Sequence, residues 1–409
     1  MKKEQDSSGK RSRNERIEAF LRERYAFRYN TVKSRTEYRA AGTPSVDMAG
    51  TAGGAFQPVT KFCLNSIRRE LDRTTGITTS AENVRAILES DFAERVNPVQ
   101  SYFRGLPKAT GREAIARLAA TVTVRNPEHW MEYLTKWLVG VAANALCDVG
   151  CRNHVCLVLT GEQGKFKTTW LDHLCPTSLR SYLFTGKIDP QNKDVLTLIA
   201  EYLFINIDDQ LKALNKRDEN ELKNLITTPA VKYRRPYDVY IEEYSHLASF
   251  MASVNGNDFL TDPTGSRRFL PFEVVAIDIA AAQAVDMDEV YAEAMGLLDV
   301  CYRYWFDDGE IEELHRQSSA FHVQTIEYEM LLKGFEPPPT PLTDDCFMTS
   351  SEIMSYLEAH TTLKLSERRM GEALHKAGFE RKSKRVGGNP VYVWLIRKVA
   401  PNPFISQVF

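Results

Sequence analysis

Three short apolar runs organise the middle of the chain, and each ends in polar groups. Val155–Leu159 leads into a glycine-containing turn, Ile199–Ile207 into Asp208-Asp209, and Leu247–Val254 into Asn255. Apolar runs of this length bounded by turn residues predict buried strands. Strands separated by helical spacing predict an α/β core with a parallel sheet. Helical spacing of apolar positions marks Arg11–Arg24, Gly111–Thr123, Glu128–Leu146 and Asp218–Thr227, with further helices around Met287–Trp305 and Ile311–Leu332. Asn65–Phe92 reads as a pair of helices broken at Gly76, and Ala40–Ala55, rich in Gly, Ala, Thr and Ser, as a flexible loop. The run Glu336-Pro-Pro-Pro-Thr-Pro341 supports neither helix nor central strand and predicts a linker. Beyond it, Met348–Leu357 opens like a capping box, and Ser366–Gly378 is a second helix closed by glycine. Phe379–Val386 and Val391–Ile396 flank a Gly-Gly-Asn-Pro turn and predict a β-hairpin. Helix, helix, hairpin is the outline of a winged helix.

The turn after Val155–Leu159 carries the most specific chemistry. Gly161-Glu-Gln-Gly-Lys-Phe-Lys-Thr-Thr169 joins a strand to a helix. In that setting successive backbone N–H groups and a helix N-terminus cradle phosphates. Gly161, Glu162, Gln163, Gly164, Lys165, Phe166, Lys167, Thr168 and Thr169 form the nucleotide-binding stretch. Lys167 is placed to reach the β- and γ-phosphates, and the Thr168 hydroxyl to ligate Mg²⁺. The strict pattern has glycine just before the lysine, and here Phe166 stands there, its side chain directed away from the phosphates. A strand ending in adjacent acids supplies the complementary half: Asp208 to hold Mg²⁺ with Thr168, and Asp209 to orient and deprotonate a water. Asn255 suits a contact to the γ-phosphate or the lytic water, although Asn-Gly-Asn-Asp is also sound turn chemistry. Arg267 and Arg268, adjacent on a loop, offer a cation for the transition state in a neighbouring subunit, with no choice made between them. ATP and Mg²⁺ are the expected cofactors.

Between the Asp-Asp and Asn strands, Lys232-Tyr-Arg-Arg-Pro-Tyr-Asp-Val-Tyr240 alternates cations with aromatics. Cations contact phosphates and tyrosines stack on bases, so Lys232, Arg234 and Arg235 are candidate DNA contacts. An edge hairpin kept soluble by its charges is the plainer reading. Lys223, on the helix before it, faces either a neighbour's nucleotide or solvent. In the C-terminal outline, Arg368, Arg369, Lys382, Lys384 and Arg385 lie on the second helix and the wing, where they suit duplex DNA. Protein docking is the alternative for such a module.

These motifs in this order resemble a superfamily-3-type helicase ATPase, and more narrowly the virulence-associated E (VirE/VapE-like) family of phages and mobile elements. The resemblance rests on Gly161-Glu-Gln-Gly164 with Lys167-Thr-Thr-Trp170, Arg235-Pro-Tyr237, and Asn255 with Asp262-Pro-Thr-Gly-Ser-Arg-Arg-Phe269. It implies a P-loop (AAA+-like) NTPase core, a homo-oligomeric ring with the hexamer among the sizes open to it, and DNA translocation tied to replication. It also implies that the hairpin near Lys232 projects into a central channel holding single-stranded DNA. The expected organisation is a mainly helical region of unknown role over 1–105, the ATPase core with its preceding helices over 106–280, and a helical extension over 281–335. The linker follows at 336–344, and the winged-helix-like domain at 345–409.

Composition adds bounds. A chain of 409 residues with 43% hydrophobic and 26% charged positions is ordinary for a globular protein of two or three domains. A formal charge of −2 neither favours nor opposes nucleic acid. The absence of a long apolar run argues against a membrane partner, and Met1–Lys10 lacks the apolar core of a secretion signal, so a cytoplasmic location is expected. Seven scattered cysteines suit a reducing compartment. Cys147, Cys151, His154 and Cys156 are close enough to suggest zinc, but Cys156 falls on a core strand, and buried free thiols are common. No carboxylate constellation in the N-terminal region suggests a polymerase or primase site, so priming, if needed, is expected from a separate protein. An ATP-dependent DNA helicase is the expected function. The alternative is a nucleotide-gated DNA-binding regulatory or defence protein without unwinding activity.

Overall fold

The computed structural model describes residues 11–41, 55–109, 111, 113–235, 239–261, 266–318, 321, 325–338, 346–386 and 389–399, apart from the side chains of Ser266, Arg385, Val386 and Asn389. Most of the loop expected over Ala40–Ala55, the 262–265 part of the arginine loop and the Arg385 side chain lie outside the described residues. The chain divides into two compact units, residues 1–322 and 323–409.

The first unit begins with the helix Arg13–Arg24, closed at its start by a Ser12–Glu15 capping box. Strands β1 (Tyr25–Asn30), β2 (Arg35–Ala40), β3 (Gln57–Pro58) and β4 (Glu94–Val96) then form a sheet in the order β3-β2-β1-β4. The helices Lys61–Thr75 and Ala81–Leu88 cover one face, and Tyr25, Phe27 and Tyr38 pack into their cluster. Gly76 ends the first of these helices at φ 69°. The expectation of a mainly helical N-terminal region is therefore corrected to a mixed layer. Tyr25-Ala-Phe-Arg-Tyr-Asn alternates aromatic with small or polar residues, a period of two that favours a strand even directly after a helix.

A six-stranded sheet forms the centre. Along the chain come β5 (Val122–Val124), β6 (Cys156–Thr160), β7 (Leu183–Gly186), β8 (Phe204–Asp208), the paired β9 (Ala230–Tyr233) and β10 (Glu242–Ser245), β11 (Ser249–Ser253) and β12 (Phe269–Ile277). The sheet order is β5-β12-β6-β11-β8-β7, parallel throughout except where β5 pairs antiparallel with β12. Parallel sheets of this kind bury both faces. Leu157, Leu159, Phe204 and Met251 face a cluster with Trp130, Trp137, Trp170 and Tyr291. Cys156, Val158, Ile205, Ile207 and Phe250 face a second cluster with Ile199, Leu222 and Ile226. The helix expected over Gly111–Thr123 is shorter, Ala114–Ala120, because the β-branched Val122-Thr-Val124 leaves it to become the edge strand β5.

The second unit contains the helix Ile326–Gly334, the strand Phe347–Met348, the helices Ser350–Glu358 and Glu367–Lys376, and the strands Arg381–Val386 and Asn389–Leu395. The last strand lies between the other two in a three-stranded antiparallel sheet. Leu331, Ile353, Leu357, Met370, Leu374 and Trp394 form its core. The stretch Ile311–Leu332 is thus two helices, Asp308–Ser318 and Ile326–Gly334, one in each unit. The Pro-rich run at Glu336 accordingly falls inside the second unit rather than between the two. Among the described residues no helix is long and apolar enough to cross a membrane.

A buried polar network fixes the start of β11. Asn144 Nδ2 donates to Leu247 O at 2.9 Å, and its Oδ1 accepts from the Arg152 N–H at 2.7 Å. The buried His246 ring places Nδ1 at 2.7 Å from Thr228 O and Nε2 at 2.8 Å from Ala248 O. Burial pushes this imidazole down to about 4, against the pull of the two carbonyls. In the folded state the ring stays neutral where the unfolded ring would protonate. Stability should therefore decline as pH falls from 6.5 to about 4, by up to roughly 3 kcal/mol. Chemical denaturation of wild type and His246→Gln across that window checks this. The slope should shrink in the variant, and an unchanged slope would contradict the assignment.

Candidate active site

The carboxyl ends of β6, β8 and β11 converge because the strands are parallel and in register, with Ser253 paired to both Asp208 and Leu159. The loop after β6 turns at Gly161 (φ 124°) and Gly164 (φ 81°) and enters the helix Lys167–His173. A Cβ on Gly161 would stand 2.8 Å from Val274 O, so only glycine fits there. Phe166 occupies the glycine position of the strict pattern at φ 58°, a left-handed conformation that costs an L-residue about 1 kcal/mol. Its ring is 55% exposed, clear of the loop interior. Glu162, Gln163 and Thr169 are exposed, and Lys165 pairs with Glu162 at 3.6 Å.

Lys167 is buried. Its Nζ donates to Gly161 O at 3.1 Å, Glu162 O at 2.6 Å and Asn255 Oδ1 at 3.2 Å. Burial lowers its pKa, while Asp209 and Asp208 oppose that shift. Thr168 Oγ1 donates to Asp208 Oδ1 at 2.7 Å, and Ser253 Oγ donates to the same oxygen at 2.8 Å. The two hydroxyls lie 3.0 Å apart. Asp209 has φ 45° and holds Asn255 twice, accepting from its backbone N–H at 3.1 Å and from its Nδ2 at 2.8 Å. The structure thus brings together Lys167, Thr168, Asp208, Asp209 and Asn255. Two further residues belong to the cluster and escaped the sequence reading. Ser253 bridges Thr168 and Asp208, and Asn206 donates to Asp172 at 2.8 Å, tying β8 to the helix after the loop. Asn206 is a polar residue in the middle of the apolar β8 and Ser253 closes the apolar β11, which are the signals that mark them.

The virulence-associated protein E-like domain matches residues 105–323, more than half of the 409-residue chain. The chain belongs to the virulence-associated protein E-like family. No curated protein matches it. Among solved structures, the apo structure of the NrS-1 C-terminal region is similar, with a TM-score of 0.50 at 10% identity over 97% of this chain and 100% of that one. An A-form apo structure of the same region gives 0.47 at 10% identity over 93% and 98%. At this identity the likeness concerns the fold alone.

The remaining candidates of this VapE-like chain lie elsewhere. Phe269 pairs with Cys156 and Glu273 with Thr160, so Arg267 and Arg268, just before β12, sit at the end of the sheet opposite the loop. Four residues of strand separate those levels, about 13 Å. Arg267 is exposed, whereas Arg268 is half-buried and its Nε has no hydrogen-bond partner among the described residues. The β9–β10 pair lies at that same end, before β11. Lys232 and Arg234 are exposed there, Lys232 paired with Glu243 at 2.9 Å. Arg235 is different from its neighbours and is corrected from a DNA contact to an internal tie. It is only 8% exposed, donates to Val32 O at 3.1 Å, pairs with Glu201 at 3.4 Å and lies 4.2 Å from the Tyr244 ring centroid. Lys223 faces neither nucleotide nor solvent, being buried and paired with the equally buried Glu219 at 2.8 Å. In the second unit Arg368, Arg369, Lys382 and Lys384 are all exposed, Arg368 paired with Glu372 at 3.2 Å and Lys382 with Glu380 at 3.5 Å. Among the described residues no three His, Cys, Asp or Glu gather as metal ligands, and the Cys147–Cys156 stretch is no exception.

The loop geometry makes a direct prediction. Gly161→Ala meets both the clash with Val274 O and the unfavourable φ, and should lower stability by about 2 kcal/mol. Nucleotide affinity should fall with it, whereas Phe166→Gly, which only relieves a left-handed side chain, should retain binding. Thermal melts and nucleotide titrations of the two variants decide the matter. Wild-type behaviour of Gly161→Ala would contradict this description of the loop.

Proposed function

We propose that this protein is an ATP-hydrolysing motor of superfamily-3 helicase type that moves along or opens DNA during replication of a phage or mobile element. The observation that carries this reading is the convergence of Lys167, Thr168, Asp208 and Asn255 at the carboxyl ends of parallel strands, beside a glycine-shaped loop. A buried ammonium, a hydroxyl and a carboxylate suit a triphosphate with Mg²⁺ better than any apolar ligand. Thr168 and Asp208 would hold the ion, which when bound neutralises phosphate charge. Lys167 would exchange its loop carbonyls for β- and γ-phosphate oxygens. In hydrolysis a water oxygen bonds to the γ-phosphorus, the bond to the β,γ-bridging oxygen breaks, and ADP leaves with that electron pair. The water's proton passes to a carboxylate, for which Asp209 is the candidate. Arg267 or Arg268, remote from its own loop, is consistent with service to a neighbouring subunit in a ring.

Lys232 and Arg234 are the channel-facing DNA contacts in this reading. The second unit's two helices Ser350–Glu358 and Glu367–Lys376 with their three-stranded antiparallel sheet support a winged helix, with Arg368, Arg369, Lys382 and Lys384 toward duplex DNA. One observation favours the second reading, a nucleotide-gated DNA-binding regulator or defence protein that does not unwind. Each carboxylate oxygen of Asp209 already accepts one hydrogen bond from Asn255, which stabilises the ionised form and makes Asp209 a weaker base for the water.

ATP hydrolysis with and without single-stranded DNA separates the two. The motor reading expects DNA-stimulated turnover that falls by about a hundredfold or more in Lys167→Ala and Asp208→Asn. ATP binding without turnover in wild type would overturn the motor and leave the nucleotide-gated reading.

A further inference from the structure

The N-terminal sheet has a second face opposite its covering helices, where Asn30 and Glu37 are buried, Asn30 donating to Tyr182 at 2.7 Å, while Arg35 is exposed and Arg28 and Arg39 are partly exposed. Strand alternation sets Arg28 and Arg39 opposite the face of Tyr25, Phe27 and Tyr38, since Ala26 pairs with Arg39 and Arg28 with Glu37. The pairing of Tyr38 with Gln57 brings Phe56 beside Arg39. The Phe56 ring lies 4.1 Å from the Arg28 guanidinium carbon and 4.9 Å from that of Arg39. Glu37 is buried and receives Arg28 at 2.8 Å, Arg35 at 3.2 Å and Asn30 Nδ2 at 2.9 Å. Two arginines, Arg28 and Arg35, therefore share the Glu37 carboxylate, and Arg39 is a third arginine on this face, in a chain whose formal charge is −2. Arg39 has no ion-pair partner among the described residues.

The cations continue toward the centre of the unit. Lys33 Nζ lies 3.5 Å from the Tyr202 ring centroid, in the turn that follows β1. Val32 of the same turn accepts from Arg235, at the base of the β9–β10 pair where Lys232 and Arg234 are exposed. The acids along this line are Glu37 and Glu201, both engaged by arginine, Glu243, paired with Lys232, and the exposed Glu94, the cross-strand neighbour of Arg28.

We propose that this face is a binding platform for single-stranded DNA that leads the strand from Arg39 and Arg28 past Arg35 to the hairpin. The identity of the ligand rests on the DNA-motor reading above. The physical argument is separate: guanidinium groups bind phosphates through paired N–H bonds, and Phe56 holds two of these flexible side chains in place before a ligand arrives. A line of cations follows one chain of phosphates, whereas a duplex presents two.

Anisotropy titrations of fluorescein-labelled oligothymidylate and of a duplex of equal length, without nucleotide, test the platform. Arg39→Glu should bind the single strand about tenfold more weakly, with a shallower dependence of affinity on salt. Phe56→Ala should weaken it about threefold. Both variants should keep the wild-type melting temperature. Lys232→Glu serves as the hairpin variant. If wild type binds no oligonucleotide, this platform and the DNA reading both fail. If Lys232→Glu weakens binding while Arg39→Glu and Phe56→Ala match wild type, the platform alone is overturned. If Arg39→Glu weakens binding of the duplex more than that of the single strand, the single-strand assignment is overturned.

Discussion

The ammonium of Lys167 is the group on which the geometry of the site turns. A buried cation is tolerated only with close partners, and this one takes two carbonyls from its own loop and a third oxygen from Asn255 beyond β11. The loop and the neighbouring strand are thereby fastened to each other. Asn255 in turn clamps Asp209, and Ser253 joins Thr168 to Asp208. These bonds require β6, β8 and β11 to be parallel and in register. A slip of one residue would turn Asp208 and Ser253 to opposite faces.

Of the four non-glycine residues with positive φ among the described residues, two stand at the same place and two, Ser34 and Cys301, stand elsewhere. Phe166 and Asp209 both take positive φ without being glycine, and they stand on the loop and at the end of the acid strand. Such conformations persist where surrounding structure over-determines them, and they mark sites where side chains must be aimed. The other end of the sheet is built differently. Arg267, Arg268, the β9–β10 pair and the turn at Val32 lie there, with Arg235 tying the turn to the pair. The strands between are buried apart from Asp208 at the end of β8.

Much of the core was legible in the sequence because its signals are local. An apolar run with a polar terminus is enough to place β6, β11 and the acid end of β8, although Ile199–Glu201 of the expected second strand close the helix Asp194–Glu201 instead, and the family resemblance drawn from those motifs agrees with the match over residues 105–323. What escaped depended on partners distant in the chain. Arg235 reads as a surface cation until Glu201 and Val32 enclose it, and Lys223 until Glu219 lies beside it in the core. The N-terminal sheet was hidden because β1 follows the first helix with no glycine or proline between them. The Pro-rich run at Glu336 looked like a boundary, yet the helix before it packs into the second unit through Leu331. Proline excludes helix and central strand, but it does not say which side of a boundary its neighbours join.

The central claim is that Lys167, Thr168 and Asp208 form a binding site for a nucleoside triphosphate with Mg²⁺. Calorimetric titration with a non-hydrolysable ATP analogue, with and without Mg²⁺, tests it most directly. The account predicts one site per chain, tighter with Mg²⁺ in wild type, with that Mg²⁺ effect lost in Asp208→Asn. Absence of binding, or binding indifferent to both Mg²⁺ and the Asp208 carboxylate, would contradict it.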